Sequence, residues 1–330
     1  MPEPPNTSAE GIAERLLKSW VFVILVSVVI VGLLGLASWP WSTNRFVLKV
    51  ATRAVAVAAA APGVHVFGLR LPPDTELRIL GADTNGLPPE IAMLAGTTVA
   101  VRLWVSHATL QSITLPSGAG LIVRAAADGS IDIGVLNDGS ISLALAGRIE
   151  RIGDRGERTM IANIDRAVGW DITPLAPNVP ARLVVRAGGA SFALYNQPIT
   201  DIWFRPPRAA GADQRTFQSE IVNGELQLLD TAAKIALDPR ELVLLEGGSR
   251  MLSRLEVTDG AVAVDVTGVA NRISVGPPRP GSPFRLDRDL TPSLLAYLVG
   301  QHELKMLWGI AAAVLGAMWK ARQWALKWGK

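Results

Sequence analysis

The chain has no cysteine in its 330 residues, which excludes disulfides, thiolate metal sites and cysteine nucleophiles. Histidine is nearly as scarce. His65, His107 and His302 lie in separate segments, and no H-x-x-x-H or H-E-x-x-H spacing offers a metal two imidazoles. His107, in "WVSHATL", reads as a polar turn residue, and His302, beside Glu303, as the end of an interfacial helix. No G-x-S-x-G elbow, P-loop or G-x-G-x-x-G fingerprint occurs, so the commonest local signatures of hydrolases and nucleotide enzymes are missing. Charge is thin as well. Only 18% of residues are charged and the net charge is +3, which leaves no electrostatic footprint for nucleic acid despite a pI near 9.4. No catalytic, cofactor-binding or metal-binding residue is assigned on this basis, and the chain is expected not to be an enzyme.

What the sequence does have is apolar material. Hydrophobic residues make up 49% and the mean hydropathy is +0.30, too apolar for an ordinary soluble domain. Much of this sits at the two ends. A polar, proline-rich tail (1–19) precedes "WVFVILVSVVIVGLLGLASW", residues 20–39, in which no side chain is charged. That is the length a helix needs to cross about 30 Å of hydrocarbon. Trp20, Trp39 and Trp41 bracket the run where indoles prefer the interface, and Pro40 ends it. The rival is a cleaved signal peptide, with "GLAS" at 35–38 as its site. However, the apolar run is longer than such peptides use, and Glu10 and Glu14 precede it.

At the other end Thr291-Pro292 makes a good helix start for an interfacial helix over 291–303, followed by a short transmembrane helix over 304–322 and a basic tail over 323–330. Every residue from 306 to 319 is apolar or glycine. That core spans about 21 Å, so Lys305, Lys320 and Arg322 must snorkel to the interface, with Trp308, Trp319 and Trp324 as aromatic anchors. A helix lying flat on the bilayer, or a core helix, are the other two readings; the first four turns lack the charges of a flat amphipathic helix. Small residues recur four apart in the pairs Gly309/Ala313, Ala312/Gly316 and Ala313/Ala317, and Gly32 and Gly35 sit in the first run. In lipid, such residues let helices approach closely.

The middle alternates apolar and polar residues over short runs such as "TTVAVRLWV", "GLIVRAA", "RLVVRA" and "AVAVDVTG", separated by Asp128-Gly129, Asp138-Gly139, Asn223-Gly224, Gly247-Gly248 and Asp259-Gly260. Period-two alternation with such turns predicts antiparallel strands. The expected fold is therefore membrane-anchored all-β: sandwich or meander modules flanked by an N-terminal and a C-terminal membrane helix. Asp128, Asp132, Asp138 and Asp259 read as turn residues, with calcium as a minor alternative. "TLPSGAG" (114–120) reads as a turn before it reads as part of a scattered serine triad.

"LNDGSISLALAGRIERI" (136–152) aligns without gaps on "VTDGAVAVDVTGVANRI" (257–273), which suggests an internal duplication. The expected layout is a linker helix over 42–61, a β module over 63–168, a linker over 169–181, a second β module over 182–275 and a Pro/Gly linker over 276–290. Basic residues near the spans balance between the two sides. The crowding of four in the final turns favours both tails in the cytoplasm, in a two-pass inner-membrane protein with a periplasmic β region. Partners follow from location: the lipid bilayer, and a membrane protein or a second copy. The expected function is a scaffold or accessory subunit of a membrane complex. Its alternative is an envelope protein that binds or transfers a lipid or other hydrophobic ligand, and a hydrolase comes third.

Overall fold

The computed structural model describes residues 43–83, 100–177, 179–186, 191–205, 219–258, 260–279 and 282–293, with single helical positions in both terminal segments. By their contacts the residues divide into two units. One comprises Met1–Trp41, Asp230–Ala232 and Thr291–Lys330, the other Ser42–Leu229 and Ala233–Leu290.

The second unit is built of antiparallel strands throughout its described length. Its first half holds β1 (Asn44–Thr52), β2 (Ala54–Ala59), β3 (Gly63–Arg70), β4 (Thr75–Leu80), β5 (Ala100–Leu115) and β6 (Gly120–Ala125). Then come β7 (Ile131–Leu136), β8 (Ser140–Ile152), β9 (Arg158–Ile172), β10 (Ala181–Arg186), β11 (Phe192–Trp203) and β12 (Ile221–Leu228). The last six are β13 (Ala233–Leu237), β14 (Leu242–Glu246), β15 (Arg250–Thr258), β16 (Ala261–Ala270), β17 (Arg272–Arg279) and β18 (Ser282–Asp289). Fifteen of them form one sheet, and β14, β17 and β18 form a small second one.

The large sheet makes two circuits that share β2, each completed by the covalent chain rather than by a hydrogen-bonded strand pair. Hydrogen-bonded neighbours run β1–β16–β15–β11–β2, and β1 passes into β2 through Arg53 alone, so this run returns on itself. A second run goes β2–β6–β7–β10–β4–β5–β3, and β3 follows β2 after three residues. The pair β12–β13 extends the free edge of β1, and β8–β9 that of β5.

The shared strand explains its own composition. In β2, "AVAVAA", Val55 and Val57 point one way and Ala54 and Ala56 the other, and all four are buried. A strand buried on both faces needs small side chains where its neighbours come closest. The apolar faces of both circuits merge into one core, with Phe46, Leu48, Leu103, Leu121, Leu183 and Leu252 essentially solvent-free.

Several expectations are corrected here. The linker helix over 42–61 is β1 and β2: alanine's helix propensity is weak against the alternation of "NRFVLKVAT", whose burial alternates residue by residue. The linker over 276–290 is largely strand, taken up by β17 and β18, whereas 169–181 keeps irregular chain between the end of β9 at Ile172 and the start of β10 at Ala181. A simple meander is replaced by pairing between strands distant in sequence, such as β1 with β16 and β2 with β11. The boundary at 169–181 fails as a module boundary too, because β10 pairs with β4 and β7.

The apparent duplication also falls in unlike surroundings. The turn before β16 closes a true hairpin, with Thr258 opposite Ala261. Its counterpart before β8 joins β7 to a strand it does not pair with. Gly147 has φ +74° at a bulge, whereas Gly268 lies in regular register opposite Phe46. Asn223-Gly224 is no turn; it lies inside β12, where a Cβ on Gly224 would stand 2.8 Å from the Lys49 carbonyl oxygen.

Candidate functional site

Strand alternation builds a charged face on the second circuit. In β4, "TELRIL", Leu77 and Ile79 enter the core, so Glu76, Arg78 and Leu80 face outward. In β10, "ARLVVR", Leu183 and Val185 are buried and Arg182, Val184 and Arg186 share the other face. The strand registers then align one rung across six strands: Arg102, Arg78, Val184, Asp132, Arg124 and Ala54, from β5 to β2. Two arginines directly opposite each other, Arg102 and Arg78, would repel. Glu76 on the adjacent rung compensates by accepting a hydrogen bond from Arg78 Nε at 3.0 Å and one from Arg102 Nη2 at 2.9 Å.

The same carboxylate stands 3.6 Å from Arg186, which also reaches Asp128 at 3.4 Å. Burial by itself pushes the Glu76 carboxyl up, but hydrogen bonds and charge from Arg102 and Arg78 outweigh it and hold its pKa below the ordinary value. Arg182 grips Asp132 with Nε at 3.1 Å and with Nη2. That fork raises the guanidinium's pKa against an opposing burial effect. Gly134 leaves the space: a Cβ there would lie 3.3 Å from Arg182 Cγ.

A groove of about 580 Å³ opens over this face, lined among others by Arg53, Arg78, Arg124, Arg182, Asp132 and Glu220. Arg78 and Arg182 are committed to carboxylates. Arg53 and Arg124 are not: among the described residues neither guanidinium has a hydrogen-bond or ion-pair partner, and the Glu220 carboxylate likewise has none. Arg53 is held in place by its backbone, which donates to Glu220 O and accepts from Ala125 N, both at 3.0 Å.

A second arginine environment is closed. Arg250, at the start of β15, has a side chain only 4% exposed. It donates to the carbonyls of Thr200, Leu245 and Gly247 and lies 3.4 Å from Asp201. Desolvation lowers its pKa, with Asp201 opposing. These bonds tie β11, β14 and the following turn to β15. Gly247 and Gly248, both at positive φ, form that turn, and a Cβ on Gly248 would be 2.0 Å from Val269 O.

Of the interface and packing residues named from the sequence, Trp20, Gly32 and Gly35 occupy helical, exposed positions in the N-terminal segment. Gly309, Ala313, Gly316, Trp319 and Lys320 do so in the C-terminal one. Trp39, Trp41, Trp308, Trp324 and Arg322 lie outside the described residues, as do His302 and most of 291–303. No helix among the described residues is long and apolar enough to cross a membrane. Two further corrections concern single residues. His107 is within β5, beside the bulge at Gly147, rather than in a turn, and Asp132 is a strand residue paired with Arg182. No group of three metal-ligating side chains occurs among the described residues.

The arginine face escaped the sequence reading although its signal was present. "TELRIL", "GLIVRAA" and "ARLVVRA" each place an arginine at an outward position; what sequence alone did not supply was the register that lines them up. Comparison with family models, with curated proteins and with solved structures finds no match.

Proposed function

We propose that this protein is a membrane-tethered, non-enzymatic β body that serves as a scaffold or assembly partner of a membrane complex. In this reading residues 20–39 and 304–322 are the two anchors, both tails lie in the cytoplasm, and the β unit faces the extracytoplasmic side. The observation that carries it concerns the glycines of the terminal segments. Gly32, Gly35, Gly309 and Gly316 are at helical positions, and a Cβ on any of them would meet no atom within 4 Å. Glycine costs a helix about 1 kcal/mol against alanine, and in lipid that cost is offset where a neighbouring helix packs closely on it. Among the described residues nothing lies there, which leaves room for a packing helix, either the other anchor or another polypeptide.

The reading is tested by solubilising native membranes in mild non-ionic detergent and purifying the protein at its natural abundance. A membrane protein in fixed ratio is expected, and its yield should fall with Gly316→Leu. Recovery of the protein alone, or its release from membranes by alkaline carbonate, overturns the proposal. Protease added to spheroplasts should digest the β unit; protection there overturns the orientation.

A second reading, handling of a lipid or other hydrophobic ligand, draws on a cleft with an aromatic side, which Ser191 and Glu256 also line. Phe67 and Phe192 meet edge to face at 5.9 Å beside a cavity of about 240 Å³ that Leu69 also lines, and Val64 and Val66 on β3 are exposed at 63% and 78%. The cavity is below the roughly 300–1,000 Å³ of ordinary small-molecule sites, so it would admit part of an acyl chain rather than a whole lipid. Native mass spectrometry showing no bound lipid removes this alternative.

A further inference from the structure

We propose that the groove over the arginine rung binds a phosphate group. Its charge is the first argument. Arg53, Arg78, Arg124 and Arg182 face Asp132 and Glu220, four cations against two carboxylates. That lining carries a formal +2 before Glu76, which accepts from Arg78, is counted, and the excess of positive charge favours an anion.

The second argument is the division of labour among the four arginines. Asp132 fixes Arg182 and Glu76 fixes Arg78, so these two are held in place with their charges compensated and shape the groove's wall. Arg53 and Arg124 hold five N–H donors each and spend none of them on the protein's described groups. They are brought together by the backbone: Arg124 lies opposite Ala54, the residue after Arg53, across the β2–β6 pair. Two uncommitted planar forks, one at the bend between β1 and β2 and one on β6, suit a tetrahedral oxyanion, which accepts several bidentate bonds at once.

The third argument is space. A volume of about 580 Å³ exceeds what one phosphate fills, so it also admits a ligand with a further group, from which the lining Ser130 hydroxyl can accept a hydrogen bond. Ser130 is itself positioned by Asp128, whose carboxylate accepts from its backbone N–H at 3.0 Å and its hydroxyl at 2.6 Å. A phosphate of this kind comes either free in solution, on a small metabolite, or on a lipid headgroup. The chemistry at the arginines is common to both sources, and the proposal does not depend on the membrane reading.

The test uses the full-length protein in non-ionic detergent, titrated calorimetrically with inorganic phosphate and separately with dihexanoyl phosphatidic acid below its micelle concentration. Binding of both supports the site with a free phosphate group as sufficient ligand. Binding of the short-chain lipid alone supports it with a headgroup as source. Binding of neither overturns it.

In whichever arm binds, Arg53→Ala and Arg124→Ala should each weaken binding about tenfold, the loss of one charge-assisted bidentate contact, and the double variant should abolish it. Arg155→Ala, the same charge change on the exposed turn between β8 and β9, should leave it unchanged. Should an alanine variant fail to fold, Arg53→Lys and Arg124→Lys keep the charge and remove the fork, and a weakening of several-fold is expected. Binding that survives the double substitution, or that falls equally with Arg155→Ala, overturns the proposal.

Discussion

Arg250 and the pair Arg53 and Arg124 are the same residue type used in opposite ways. Arg250 is nearly solvent-free and donates to three carbonyls that belong to different strands and turns. Arg53 and Arg124 lie along a groove and donate to no described group. A buried cation is tolerated only when most of its donors are matched; both terminal nitrogens of Arg250 are, while its Nε has no partner among the described residues, so Arg250 reports on how the fold is held together. A cation at a groove stays hydrated until a ligand arrives, so Arg53 and Arg124 report on what the fold can bind. Arg182 stands between these cases, one-third exposed and tied to a single carboxylate.

Substitutions should separate the three classes. The largest effect is expected for Arg250→Met, which strips three carbonyls of their donor; the loss should be about 3 kcal/mol, read from urea unfolding of the full-length protein. A loss below about 1 kcal/mol would mean that water replaces the guanidinium, and the contrast with the groove would collapse. Next comes Arg182→Met, which leaves Asp132 largely buried without its partner and should cost about 1–3 kcal/mol. Adding Asp132→Asn should recover part of it, since a neutral amide is cheaper to leave behind.

A smaller, pH-dependent effect belongs to Glu76. Its folded pKa is depressed, so its contribution to stability is fully present above the ordinary carboxylate pKa and is lost as pH falls through the lower folded value. Glu76→Gln should flatten that acid limb of the stability profile while leaving Arg102 and Arg78 in mutual repulsion at every pH. The smallest change is expected for Arg53→Ala and Arg124→Ala, within about 0.5 kcal/mol of the parent, measured by the same urea titration. A large destabilisation by either would turn the groove arginines into structural residues.

The sequence carried the strand character of the middle plainly, because alternation is a local property: "ARLVVR" shows which side chains enter the core before any partner strand is known. It carried the outward arginines for the same reason. What it did not carry was neighbourhood. Arg78 and Arg124 are close in rung but separated by two intervening strands, β10 and β7, that come from elsewhere in the chain. "AVAVAAAA" was misread because alanine favours a helix in isolation, whereas here its small size answers to two flanking strands that only tertiary structure supplies. Asn223-Gly224 was misread as a turn because glycine has two uses, and a close approach by the Lys49 backbone looks no different in one dimension from a bend. The matching "DG" segments show the same limit: similar strings close a hairpin in one place and a crossover in the other.

The strand common to both circuits sets an order of assembly. β1 and β2 leave the ribosome first among the strands, yet β1 is flanked by β12 and β16, which lie beyond Glu220, and β2 by β6 and β11. The first circuit is complete only once β16 has been made and the second only once β10 has, and loop closures of that span are slow. Refolding of the denatured protein should therefore take milliseconds to seconds or longer, and during that wait "FVLKVATRAVAVAAAA" is an unpaired sticky ribbon that other chains can capture. A nascent protein with this wiring gains from a holdase that keeps its opening strand single until its closing strands arrive.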